Sequence, residues 1–103
     1  MNSTDFDLKF LPEAKTDLAE IIQYYNGRAD QLGQRFFDAL ADALNLVKKH
    51  PFMFAEKHRR LRRAPVKKFP YQIYYLPEPR LSEVQIVAVV HQSRDPKTWM
   101  ERV

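Results

Sequence analysis

Residues 71–91 read YQIYYLPEPRLSEVQIVAVVH. Two β-rich runs, 71–76 and 84–91, flank a polar, proline-rich turn region. Runs joined by so short a link pair antiparallel. An antiparallel pair with one wet face alternates apolar and polar residues. This one does not. Val84, Ile86, Ala88 and Val90 share one face of the second run. Gln85, Val87, Val89 and His91 share the other, which is itself half apolar. Tyr71, Ile73 and Tyr75 likewise oppose Gln72, Tyr74 and Leu76. Both sides of this sheet therefore need a cover.

Working outward, Asp95-Pro96 predicts a short final helix. Asp serves as its cap, Pro takes the first position, and Trp99 and Met100 are its apolar anchors. Upstream, residues 57–68 hold seven of the 17 Lys and Arg and none of the 13 acids, leaving the remainder at a net charge of −3. Within them, 59–63 read as a strand with Arg59, Leu61 and Arg63 on one face and Arg60 and Arg62 on the other. Pro65 marks a turn or an edge, and 66–69 either extend the strand or turn into the next.

Earlier still, two helical periodicities appear. Pro12 suits a first helical position and Glu13 favours the helix N-terminus. Ala14, Leu18, Ile21, Ile22 and Tyr25 then follow helical spacing. Asn26-Gly27 stops that helix through a left-handed cap, and Asp30 caps the next. Its stripe is Leu32, Phe36, Phe37, Leu40, Leu44 and Val47, and His50-Pro51 ends it. Residues 6–11, with Phe6, Leu8 and Phe10 on one face, form a first strand.

The order is β-α-α-β-β-β plus a terminal turn of helix. It predicts a small single α+β domain spanning 1–103, with a helical hairpin packed on one face of a mainly antiparallel sheet. For the second face two covers are available. The C-terminal helix and loops shield it, or it stays open as an apolar, cation-rimmed groove for an acidic, amphipathic partner segment.

Composition narrows the chemistry. The absence of cysteine excludes disulfides and thiolate sites. Two glycines cannot build a phosphate loop, the three histidines lack metal spacing, and no serine sits in a nucleophile elbow. Neither a cofactor nor a metal is expected. The N-terminus has no signal-peptide pattern and no apolar run spans a membrane, so a cytoplasmic protein is expected. What remains is Arg, Lys, His and Tyr on one sheet. RNA cleavage through its own 2′-hydroxyl needs only a base, an acid and a cation. Arg60 or Arg62, with His91 and Arg94, beside Tyr71 or Tyr74, are the candidates. Each also has a structural reading: the arginines as a solvated edge that deters strand pairing, His91 as a strand-end residue bonded to backbone, the tyrosines as sheet packing.

The segments FLPEAKTDLAEIIQYY, FFDALADALNLVKKHP, RRLRRAPVKKFPYQIYY and VVHQSRDPKTW resemble, nearly end to end, the RelE/ParE superfamily of toxins from type II toxin–antitoxin pairs. KFPYQIYY and H-x-x-R-D-P-x-x-W are the tightest pieces. The resemblance implies the same β-α-α-β-β-β fold and an antitoxin that folds on binding. That antitoxin would form a hetero-oligomer through Arg60, Arg62, Tyr74, Val87 and Val89. The closing motif, the long helices and the end MERV lean to the ParE branch, which implies inhibition of DNA gyrase without catalysis. Target contacts would come from Arg60, Arg62, Lys67, Lys68, His91 and Arg94. Two alternatives stay open: a RelE-like ribosome-dependent mRNA endonuclease using Arg62, His91 and Arg94, and a binding module without toxicity.

Overall fold

The computed structural model describes residues 5–28 and 31–103. Its elements are β1 (Asp7–Phe10), α1 (Pro12–Asn26), α2 (Leu32–Lys49), β2 (Glu56–His58), β3 (Leu61–Pro65), β4 (Tyr71–Glu78), a 3₁₀ turn (Pro79–Leu81), β5 (Glu83–His91) and α3 (Lys97–Met100). The sheet order is β1-β5-β4-β3-β2, with β1 parallel to β5 and every other pair antiparallel. The fold is thus the expected α+β arrangement with one strand more than the sequence suggests.

The extra strand comes from the basic segment, where the expected strand 59–63 is broken. Arg59 and Arg60 both have positive φ, 46° and 70°, and form the two-residue turn between β2 and β3. Primed hairpin turns demand that conformation at both positions and usually recruit Asn or Gly for it. Lys68, at φ 69°, places 67–68 in the next turn. β4 runs two residues further than expected, through Pro77 and Glu78, paired to Val84 and Glu83.

Pro12 does open α1, and Leu11 N–H donates to the Ile86 carbonyl just before it. Gly27 ends the helix in the right-handed region, φ −85°, and not in the left-handed cap expected of it. Asp30, the expected cap of α2, lies outside the described residues. A Cβ on Gly33 would meet the side-chain amide of Asn26, where the two helices approach, so a larger residue there would need that exposed amide to turn away. Phe36, Leu40, Ala43 and Val47 are buried on α2, whereas Phe37, one residue and about 100° around from Phe36, is half exposed.

The helices cover one face of the sheet, over Ala64, Ile73, Tyr75, Val84, Ile86 and Val89. The expected alternation in β5 fails at a bulge. Tyr74 pairs with Ala88 but Tyr75 pairs with Ile86, so Val87 is an extra residue. A bulge shifts the side-chain parity downstream. Val84 and Ile86 therefore share the helix side with Val89, not with Ala88 and Val90.

The second face is closed: of the two covers the sequence allows, the C-terminal helix supplies it and the open groove is absent there. Trp99 of α3 stacks on Tyr74, ring centroids 3.8 Å apart at 17°, over a separate buried cluster of Leu61, Val87, Ala88 and Val90. The four-residue helix suffices because one indole covers the area that several aliphatic side chains otherwise would.

Tyr75 ties the sheet to the end of α2. Its buried hydroxyl donates to the Pro51 carbonyl at 2.8 Å. Burial raises its pKa to about 12, against the opposing pull of the Arg62 charge and the Phe54 backbone. The folded phenol thus stays neutral at pH values where the unfolded one ionises. Its stabilisation is complete below pH 10 and is lost as pH rises towards about 12. Tyr75→Phe should cost about 1 kcal/mol in urea unfolding at neutral pH. It should also flatten the loss of stability above pH 10, and parallel alkaline profiles for the two proteins would refute the assignment.

Candidate functional site

The basic segment divides into cations that hold the fold and cations that face solvent. Arg62 belongs to the first group, its side chain only 18% exposed. Its Nη1 donates to the Phe54 carbonyl at 2.7 Å and to the Phe52 carbonyl at 3.4 Å, its Nη2 lies 3.5 Å from Glu56, and its guanidinium covers the Phe52 ring. It therefore neutralises carbonyls that the α2–β2 link leaves unpaired. Arg60 belongs to the second, 64% exposed on the hairpin tip, with a 3.7 Å contact to Glu78 that is worth little in water.

Lys67 and Lys68 are exposed, and the next residue explains why. Phe69 is driven under the helical hairpin, its ring 5.3 Å from both Tyr25 and Phe36 in edge-on contacts. Anchored this way, the turn presents both ammonium groups along α2. Between that turn and the helix runs an apolar groove of about 680 Å³. It is lined by Ala39, Ala43, Leu46, Met53, Phe54 and Pro65, with Lys67 and Lys68 on one rim and Asp42 on the α2 side. A second hollow of about 540 Å³ shares Ala39 and the two lysines and reaches Leu32, Arg35, Asp38 and Phe69. Together they follow α2 for about 21 Å at 1.5 Å per residue from Leu32 to Leu46. Alanines at 39 and 43 leave the trough, and exposed Met53 and Leu46 make it greasy. Sequence reasoning looked for this surface on the opposite face of the sheet.

His91 and Arg94 come together at the other end of the sheet, in a hollow of about 190 Å³ with Asp17, Glu20, Tyr24 and Tyr71. The Ser93 N–H reaches His91 Nδ1 at 3.0 Å and the Ser93 hydroxyl lies 2.8 Å from the same atom. A backbone N–H only donates, so Nδ1 accepts and the neutral ring carries its proton on Nε2. Arg62 is remote. It pairs with Tyr75, while His91 pairs with Tyr71. Two strand spacings and four residues of rise put them about 16 Å apart. Tyr74, Val87 and Val89 are buried within the chain itself, the first two beneath α3 and the third against the helices.

Two residues that the sequence reading passed over are central. Asp17 sits on the apolar stripe of α1, three residues after Ala14 and four before Ile21, and is buried with them. Arg102, in the last turn of the chain, bonds it at 2.7 Å. The signal available was a lone carboxylate in the middle of a hydrophobic stripe. Among the described residues no cluster of His, Cys, Asp or Glu is arranged to hold a metal ion, and no helix is long and apolar enough to cross a membrane.

Replacing Arg62 tests the division of the cations. Arg62→Ala should lower stability by about 2 kcal/mol in urea unfolding, the scale of hydrogen bonds to a charged group, whereas Arg60→Ala should change it by less than about 0.5 kcal/mol. Equal effects would show that the burial of Arg62 is inconsequential.

Residues 8–96 match the family model described as ParE toxin of type II toxin–antitoxin system, parDE. No curated protein matches significantly. Among solved structures, the chain is similar to one from the chromosomal ParDE system of P. aeruginosa, with a TM-score of 0.72 at 15% identity, covering 86% of this chain and 98% of that one. It is also similar to one from the toxin–antitoxin complex RelBE2 of Mycobacterium tuberculosis, with a TM-score of 0.62 at 14% identity, covering 90% and 98%. Similarity to the isolated E. coli RelE toxin is lower, with a TM-score of 0.51 at 11% identity and 90% coverage of each chain. At these identities the structural likenesses speak for the fold. The match along residues 8–96 decides the family: the chain belongs to the ParE toxins of type II toxin–antitoxin systems.

Proposed function

We propose that this toxin acts by binding DNA gyrase, without catalysing a reaction of its own, and is neutralised by a cognate antitoxin. The observation that carries the first part is the dispersal of the nuclease candidates. General acid–base catalysis needs its groups within hydrogen-bond reach of one scissile bond. Arg62 is occupied by the carbonyls of Phe52 and Phe54, about 16 Å from His91, and His91 Nδ1 is occupied by Ser93. The cations left for a target are Arg60, Lys67, Lys68 and Arg94, spread over separate turns as in a docking surface.

An antitoxin partner is supported by family membership and by relatives solved as toxin–antitoxin systems. The surface that suits it is the α2 groove. Its apolar floor, with Lys67 and Lys68 on one rim and Asp38 and Asp42 on the α2 side, favours a segment that lays apolar residues along the floor and sets acidic ones beside the lysines, ordered as it binds. Arg60, at the hairpin tip, adds charge steering.

Purified protein should inhibit supercoiling by gyrase and leave messenger RNA intact in a translation extract. Normal supercoiling at excess protein would remove the gyrase reading, and message cut within ribosomes would replace it with the endonuclease. Growth unaffected by the soluble, partner-free protein would favour a binding module. Lys67→Glu with Lys68→Glu should weaken antitoxin binding roughly tenfold at low salt, with the difference shrinking at high salt as the rim charges are screened. An affinity unchanged at both salts would move the antitoxin off this groove.

A further inference from the structure

β5 has nine residues but β1 covers only Glu83–Ile86, because the chain turns into α1 at Pro12. Beyond Ile86 no strand among the described residues lies beside the outer edge of β5. The bulge at Val87 lies in this stretch. Two backbone groups there find side-chain partners. Val89 N–H donates to Asp17 Oδ2 at 3.0 Å, and the Val87 carbonyl accepts from Arg102 Nη1 at 3.1 Å. Asp17 and Arg102 also bond each other, Nη1 to Oδ2 at 2.7 Å and Nη2 to Oδ1 at 3.3 Å. Their side chains are 10% and 14% exposed.

The pair links elements on opposite faces of the sheet. Asp17 belongs to α1, on the helix side. Arg102 belongs to the turn that follows α3, whose Trp99 covers the other side. The open half of the β5 edge is where the two meet. α3 itself is a single turn of four residues, opened as expected by Asp95-Pro96, with Asp95 Oδ1 accepting from Lys97 N–H at 3.0 Å. So short a helix has little stability of its own. It is held at Trp99, by stacking on Tyr74, and three residues later at Arg102, by the buried pair.

We propose that Asp17 and Arg102 form a clasp that straps the C-terminal helix over the second face of the sheet. The state of this one ion pair then sets whether that apolar face is covered or open. Removing one partner of a buried pair strands the other charge, which makes the clasp a steep control. The fork geometry matters as well, since the guanidinium bonds both carboxylate oxygens and a carbonyl together. This inference does not depend on the target of the toxin.

Trp99 is the only tryptophan, so its emission reports the strap directly. The test is Arg102→Met, read by Trp99 emission, by binding of an apolar fluorescent dye and by amide exchange at Val89 and at Ile73. Ile73 faces the helices and reports the main core. The expected result is a red-shifted Trp99, increased dye binding and faster exchange at Val89, with Ile73 still protected. The opening equilibrium should shift by roughly a hundredfold. Asp17→Asn separates the two functions of the carboxylate, because asparagine keeps an acceptor for Val89 N–H but not the charge that holds Arg102. It should release Trp99 while largely preserving protection at Val89. If Arg102→Met does not fold, Asp17→Asn and Arg102→Lys carry the same readouts. Unchanged Trp99 emission in the folded variants would overturn the proposal. So would loss of Ile73 protection in step with Trp99, since the strap would then have no opening of its own.

Discussion

A nine-residue strand beside a four-residue one sets the problem that the rest of the structure solves. β5 lies inside the sheet next to β1 and at its margin beyond Phe10. Continuing β1 would have satisfied the edge, but Pro12 commits the chain to a helix. Backbone groups left unpaired in a buried place are costly, and here the remedy is a carboxylate from the first helix and a guanidinium from the last turn. Because the remedy is ionic, it needs both partners. Residues 85 positions apart in sequence are thereby made mutually dependent. Among the described residues no buried side-chain nitrogen or oxygen lacks a partner, so neither side chain of the pair is left with an orphaned polar atom.

The elements most legible in the sequence are those with local causes. Helical spacing from Ala14 to Tyr25 and from Leu32 to Val47, Pro12 at a helix start and His50-Pro51 at a helix end all operate within a few residues. The strand at 84–91 is equally plain. What escaped detection is non-local or contrary to propensity. Arg59 and Arg60 take left-handed conformations that cost arginine roughly 1 kcal/mol or more each. The antiparallel closure of β2 on β3 and the attachment of Arg62 to the α2–β2 link offset that cost. A bulge at Val87 leaves no mark in a pattern where both faces are apolar. The partnership of Asp17 with Arg102 has no sequence signature beyond the misplaced carboxylate. The opposite face showed its need of a cover, and Trp99 was visible as an anchor, yet pattern alone could not tell a self-supplied cover from a borrowed one.

The same distinction resolves why a dense positive charge adjoins an apolar strand. The seven cations are not one patch. Arg62 is drawn inward by carbonyls, and Arg59 and Arg60 cap a hairpin. Lys67 and Lys68 stand on a turn whose next residue, Phe69, is partly buried against Tyr25 and Phe36. The apolar residues fix where each charge points. Without Phe69 beneath them, the two lysines would have no defined relation to α2, and the groove would lose its charged rim.

Spacing also limits what these charges do together. At physiological ionic strength exposed charges further apart than about 8 Å act nearly independently. Arg62 is drawn inward and lies about 16 Å from His91, so the two are not aimed at the same atoms. Lys67 and Lys68 are adjacent and act as one local rim. Arg60 and Arg94 sit on separate turns, each within reach of only its own neighbourhood. Such a distribution suits a partner broad enough to touch several turns at once, with binding energy gathered contact by contact.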